Sequence, residues 1–314
     1  ALVCYYAAHL RRKVAMWQPT DDDRDSYVRT ELEPVLDAIR VVREARRRGG
    51  KLDTLKLRQF VGAVVHMLGG KAARAYRRIT VALAILDEWS AFDQSVEGLG
   101  DPGTLAFGRL EGAPYPKFVG GSTPGTLGAC HVTLAASQAD VDMRYHVECP
   151  HCGVEHPLTT GLGADGKRTR HGLQWPAGQP EQAVHVCPHC LQPMTQAQYL
   201  PAGEPMAGTW VCIRTGIRYE GAGRWTDAVG TEIRPPRNVA AQVWAIYSPQ
   251  RTWSSIAEQH DAAQAALDAG DESLMISLVT ETYGEAYERR GERTDGHALE
   301  TRGDQHPRGI VPVG

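Results

Sequence analysis

No apolar stretch of this chain approaches the roughly 20 residues that a bilayer-spanning helix needs. The longest runs, such as Val81-Ala-Leu-Ala-Ile-Leu86, fit inside a folded domain, so no membrane role is expected. The first residues, Ala1-Leu-Val-Cys-Tyr-Tyr-Ala7, carry neither the basic leader nor the cleavage pattern of a secretory signal. A cytoplasmic location is therefore expected. An excess of one charge is also missing: the net charge is −3 over 314 residues, which argues against indiscriminate binding to DNA. Local basic runs remain at Arg43–Lys51 and Lys71–Arg78; each reads as a solvated helix face or as a phosphate-binding patch. Of seven cysteines, four stand in two C-x-x-C pairs, a usage that fits metal binding in a reducing compartment better than a disulfide scaffold. Most pointedly, no G-x-x-x-x-G-K-[ST] phosphate loop occurs. The nearest stretch, Gly69-Gly-Lys-Ala72, lacks both the spacing and the hydroxyl.

What is present has the composition of an ordinary globular protein, 42% hydrophobic and 23% charged, long enough for roughly two domains. Residues 2–10 read as the end of a helix and Val14–Trp17 as a short strand. Gln18-Pro-Thr20 breaks that strand, and Asp21–Asp23 caps a helix with its apolar face at Tyr27, Val28, Leu32, Val35, Leu36 and Ile39. Leu57–Leu68 suits strand and hairpin. The nearly continuous apolar run Thr80–Leu86 suits a strand covered on both faces, with a buried helix segment as the alternative, and Lys117–Gly120 suits another strand. Alternation of this kind predicts an α/β fold with a mostly parallel sheet whose functional loops lie at strand carboxyl ends. The composition changes after about residue 140, and residues 145–200 are too sparse in large apolar residues for a conventional core. Strand character returns at Val239–Tyr247, Ser255 and Glu258 have capping-box spacing for a helix ending near Gly270, and a further helix is expected over Glu272–Arg290.

Two groups of residues carry chemistry. Cys149/Cys152 and Cys187/Cys190 each place two thiolates on one tight turn; four thiolates complete a tetrahedral Zn²⁺ site with no open position, hence a structural one. The alternatives are unmetallated buried cysteines or a redox-active C-x-x-C. His151 and His189 read as spectators, and Cys4, Cys130 and Cys212 as core residues. The second group begins at Asp87-Glu88, which ends the apolar run. In ATP-hydrolysing sheets an Asp so placed holds Mg²⁺ and a following Glu orients the attacking water, although an apolar strand meeting solvent looks the same. Gly121-Ser-Thr-Pro124 ends another strand, as a simple turn or as a sensor of phosphate state. Arg74, Arg77 and Arg78 suit a phosphate or a surface helix.

In order and wording these stretches resemble the large terminase subunit of tailed bacteriophages, in its lambda-like (GpA) branch. The resemblance rests on Trp17–Asp23, Leu68–Arg77, Asp87–Asp93, Gly121–Pro124, Cys149–Gly153, Trp244–Pro249 and Gly284–Glu288. It implies a P-loop NTPase-type sheet and an ATP-driven motor that packages viral DNA, with an endonuclease in the full-length protein. Asp87 would serve Mg²⁺, Glu88 would activate water, and Ser122 and Thr123 would couple hydrolysis to movement. The implied partners are double-stranded viral DNA, a small terminase subunit, the capsid portal and further copies of the chain, in the cytoplasm of the bacterial host. The phosphate loop is expected before Ala1 and the nuclease after Gly314, so the chain alone is expected to be inactive and no nuclease residue is assigned within it. The expected division is an ATPase core at 1–140, an inserted zinc ribbon at 141–200, the remainder of the ATPase domain or a lid at 201–290, and a linker at 291–314. Competing readings are a zinc-ribbon DNA-binding or adaptor protein without hydrolase chemistry, and a helicase-like remodeller.

Overall fold

The computed structural model describes residues 1–47, 53–163 and 166–288. The end of the first basic run and the 291–314 linker lie outside the described residues. Five strands, β1 (Val14–Gln18), β2 (Leu57–Phe60), β3 (Ala63–Gly69), β4 (Leu83–Asp87) and β5 (Lys117–Gly121), form one sheet in the order β2-β3-β1-β4-β5. Only the β2/β3 hairpin is antiparallel; β3, β1, β4 and β5 run parallel. Both faces are covered, which explains the unbroken apolar runs. Val14 and Met16 of β1 join Leu83 and Ile85 of β4 in a cluster with Val3, Tyr6, Val28, Leu32 and Leu36 from the helices at 2–9 and 21–45. The alternate residues Ala15, Trp17, Ala84 and Leu86 pack on the other face with Tyr76, Trp89, Phe92 and Leu110. Trp17 is fully buried, and burying a large apolar side chain of this kind contributes about 1.5–3 kcal/mol.

Helix 21–45 starts one residue earlier than the acidic triplet suggests. Thr20 is the cap, its hydroxyl accepting the Asp23 N–H at 3.1 Å. Asp21–Asp23 fill the first turn, where negative charge favours the helix dipole. At Ile39 the backbone turns extended, φ −86°, and divides the helix.

A second sheet is built on β6 (Val141–Glu148). Its neighbours and satellites are β7 (Glu155–Pro157), β8 (Gly172–Gln174), β9 (Val184–Val186), β10 (Pro193–Met194), β11 (Gly208–Cys212), β12 (Arg218–Tyr219), β13 (Trp225–Thr226), β14 (Glu232–Ile233) and β15 (Val239–Gln242). The order is β14-β13-β12-β11-β6-β15 with β7 also on β6, while β10-β9-β8 form a small separate sheet. Within the stretch 201–290, expected as the remainder of the ATPase domain or a lid, the described residues contribute no strand to the five-stranded sheet: β11–β15 extend the second one.

The expectation that 145–200 lacks a conventional core is overturned. Val147, Leu158, Leu173, Met194 and Tyr199 are buried against Ile246, Trp253, Ile256 and Leu278, so the chain after β15 supplies the other half of that core. Polar rivets fix the contact: the Tyr247 hydroxyl donates to Tyr145 C=O at 2.6 Å and accepts the Leu158 N–H at 2.8 Å. The long helix here is Trp253–Asp268, capped by Thr252, whose hydroxyl accepts the Ser255 N–H at 3.1 Å; the helix therefore begins before the Ser255/Glu258 pair. The following helix ends at Thr282, short of the expected Arg290. Among the described residues no helix is long and apolar enough to cross a membrane.

Candidate functional site

The parallel strands end together. Gln18 pairs with Gly69, and Asp87 with Gly121, so the next residues, Glu88 and Ser122, emerge side by side from the carboxyl edge, where ligands bind in open α/β sheets. Asp87 is half-buried and receives the side-chain amide of Gln18 on Oδ2 at 2.8 Å. Glu88 is exposed and sits in the left-handed region, φ 52° and ψ 45°. A non-glycine residue held there costs about 1–2 kcal/mol, and such outliers concentrate at functional sites. What holds the turn is Trp89. Its ring lies over Gly120, where an added Cβ would stand 2.3 Å from Trp89 Cε3, and it stacks on His131 at 6.1 Å. Only glycine permits that approach.

The expected Ser122 and Thr123 join the acidic pair. Ser122 Oγ reaches Glu88 Oε2 at 3.4 Å. Ser90, absent from the sequence expectations, supplies the link between the two turns: its hydroxyl donates to Thr123 C=O at 2.6 Å and lies in hydrogen-bond contact with Ser122 Oγ. Arg74, Arg77 and Arg78 are exposed just after β3, and none makes an ion pair among the described residues. Gln18 and Ser90 were missed because each looks ordinary in sequence. The only available signal was that both are polar and adjoin an otherwise apolar strand end.

The four cysteines of the two pairs also converge. Cys149–Cys152 occupy the turn between β6 and β7, and Cys187–Cys190 the turn between β9 and β10. Their four Sγ atoms lie within 4.8 Å of one another, with Cys149–Cys190 at 3.8 Å and Cys152–Cys187 at 3.9 Å. A tetrahedral ion with ligands at 2.3 Å requires sulfur–sulfur edges of about 3.8 Å, whereas a disulfide needs about 2.05 Å. Amide hydrogens point at the sulfurs, His151 N–H to Cys149 at 3.5 Å and His189 N–H to Cys187 at 3.4 Å. Burial opposes ionisation of Cys149, but the backbone amides of His151 and Cys152 and the neighbouring thiols outweigh it and draw the thiol down to about 7.

The two turns match residue for residue except at one position. Gly153 (φ 71°) and Leu191 (φ 57°) both donate to the carbonyl four residues back, of Cys149 and Cys187. Glycine takes this conformation freely and leucine does not. Replacing the half-exposed Leu191 with glycine is expected to stabilise the second unit by about 0.5–1 kcal/mol, read as a shift in denaturation midpoint.

The family model for the phage terminase large subunit gpA, ATPase domain, matches residues 1–210, more than half of the chain. The chain belongs to the gpA family of phage terminase large subunits. The gpA endonuclease-domain model matches residues 239–314, so the family's own division runs through the stretches expected to be ATPase remainder and linker. The terminase large subunit of Escherichia phage lambda is 33% identical over 309 residues, covering 96% of this chain and 46% of that protein. That of Enterobacteria phage P21 is 32% identical over 300 residues, covering 94% and 45%. The chain thus spans about half the length of the curated relatives it matches. A solved large terminase from a thermophilic bacteriophage overlaps 37% of this chain and 27% of its own, at 18% identity and a TM-score of 0.27.

Proposed function

We propose that this terminase chain carries the catalytic carboxylates of an ATP-driven DNA-packaging motor, on a P-loop NTPase-type sheet, together with a zinc ribbon. The observation that carries the reading is the convergence of Asp87, Glu88, Ser122 and Ser90 at the carboxyl edge of parallel strands. The residues fit a nucleotide-bound cation. Asp87 Oδ1 has no hydrogen-bond partner among the described residues, while Oδ2 is held by Gln18. When bound with ATP, Mg²⁺ supplies neutralisation of charge on the phosphates. Asp87 would hold it directly or through water. Glu88 would orient the attacking water and accept its proton, from a backbone already fixed by Trp89. Ser122 and Thr123, tied to the same turn through Ser90, would register the loss of the γ-phosphate and pass it on.

The path onward is short. Thr126 forms a parallel bridge with Tyr287, with Tyr287 N–H donating to Gly125 C=O at 3.0 Å and Leu127 N–H to Tyr287 C=O at 2.9 Å. The loop following Ser122-Thr123 is therefore bonded to the segment matched by the endonuclease model. We assign the packaging and DNA-cleaving activities to the full-length subunit, with viral DNA, the small terminase subunit, the capsid portal and further copies of the chain as partners, in the host cytoplasm. Residues 1–140 form the ATPase core in this reading, and 141–200 the ribbon that Zn²⁺ would hold through Cys149, Cys152, Cys187 and Cys190.

Asp87→Asn tests the nucleotide site. In a form of the subunit that turns over ATP, it is expected to cut Mg²⁺-dependent hydrolysis by about 100-fold or more. Hydrolysis at the wild-type rate removes the proposed role of the β4 carboxylates. A DNA-binding adaptor without hydrolase chemistry predicts that unchanged rate.

A further inference from the structure

We propose that Gln18 is a positioning residue for Asp87, fixing which carboxylate oxygen faces the divalent cation; this rests on the nucleotide-site reading above. Gln18 is 4% exposed and ends β1, the strand lying beside β4. Trp17 is in register with Leu86, so Gln18 and Asp87 are the next residues out on neighbouring parallel strands. Its position is held from both sides. The backbone carbonyl accepts the Gly70 N–H at 2.8 Å, and the side-chain amide donates to Asp87 Oδ2 at 2.8 Å.

A carboxylate accepts and an amide NH₂ donates, so the orientation of the Gln18 amide is set by chemistry. With Oδ2 committed, Asp87 presents Oδ1 alone, in one rotamer. A neutral donor is the suitable choice here. Lysine or arginine at position 18 would neutralise Asp87 and compete with the cation, and an acidic residue would repel it. An aliphatic residue would leave the carboxylate free to rotate and a partly buried oxygen without a partner. The amide orients the carboxylate and leaves its charge for the metal. Nothing in the Trp17-Gln-Pro-Thr20 stretch reveals this role without the pairing of β1 and β4.

The test replaces Gln18 with Met, which keeps length and volume but donates nothing. The measurement is Mn²⁺ binding by electron paramagnetic resonance in the presence of ADP, in a nucleotide-binding form of the subunit, alongside the Mg²⁺ dependence of ATP hydrolysis. Loss of a hydrogen bond to a charged group is expected to raise the half-saturating concentration of both ions about tenfold. At saturating Mg²⁺ the turnover number should stay within about threefold of wild type, a split that general destabilisation does not produce. Gln18→Asn, which keeps the amide but withdraws it by one methylene, should give the same shift and serves if the methionine variant does not fold. Wild-type Mn²⁺ affinity in the Gln18 variants, with affinity lost in Asp87→Asn, overturns the role of Gln18 alone. Wild-type affinity in both overturns the nucleotide-site reading beneath it.

Discussion

Replacing Cys187 with alanine is expected to unfold the second unit while the five-stranded sheet survives. Three thiolates cannot close a tetrahedral zinc site, and structural zinc contributes an apparent ~10–16 kcal/mol to the folding of small modules of this kind. The two turns that carry the cysteines are also the ends of β6, β7, β9 and β10. Val147 and Met194 on those strands lie in one core with Trp253, Ile256 and Leu278, so disorder in the turns spreads into the C-terminal helices. Among the described residues the clusters around Trp17 and Leu36 contain no buried residue beyond Leu110 and do not depend on it. Wild-type protein is expected to carry about one zinc per chain by elemental analysis. The variant should lose it, becoming protease-sensitive after about residue 140 while the sheet fragment resists. Chelation of the wild type should reproduce the pattern. A metal-free protein with native protection throughout would leave the cysteine cluster as packing only.

What the sequence disclosed follows from how each feature is encoded. β1 and β4 were legible because strands buried on both faces must be apolar without interruption. The cysteine cluster was legible because two C-x-x-C pairs admit few other arrangements. Asp87, Glu88 and Ser122 could be nominated individually, since each ends a strand, but their contact depends on β4 and β5 being neighbours. That pairing joins residues 83–87 to 117–121 and leaves no local trace. Harder still were β12, β13 and β14, two residues each, too short for any periodicity to register. The sheet to which the chain after residue 201 belongs was hidden for the same reason. Val239–Tyr247 reads as a generic strand, and only the pairing of its first four residues with β6 sends it to the second sheet. Gln18 was read as the residue that breaks a strand, when it is the residue through which that strand meets Asp87.

Changing Glu88 to glutamine should abolish multiple-turnover ATP hydrolysis, by about 10³-fold or more, and leave nucleotide affinity within a few-fold of wild type. Glutamine has the same length and can still accept the Ser122 hydroxyl that lies 3.4 Å from Oε2, so the turn and its link to Ser90 persist. What disappears is the capacity to take a proton from water. Asp87→Asn acts on a different step, weakening the cation and with it nucleotide binding. The two variants therefore separate binding from chemistry within one dipeptide. A glycine at the same position sharpens the point. Glu88 sits at φ 52°, where glycine is unstrained, so Glu88→Gly is expected to raise the thermal midpoint slightly while being as inactive as the glutamine variant. The strain is then a standing cost of aiming the carboxylate at the strand ends. A glutamine variant with wild-type turnover would show that the water is activated elsewhere, and the left-handed backbone at Glu88 would have to be explained by the packing of Trp89 between Gly103 and Gly120 alone.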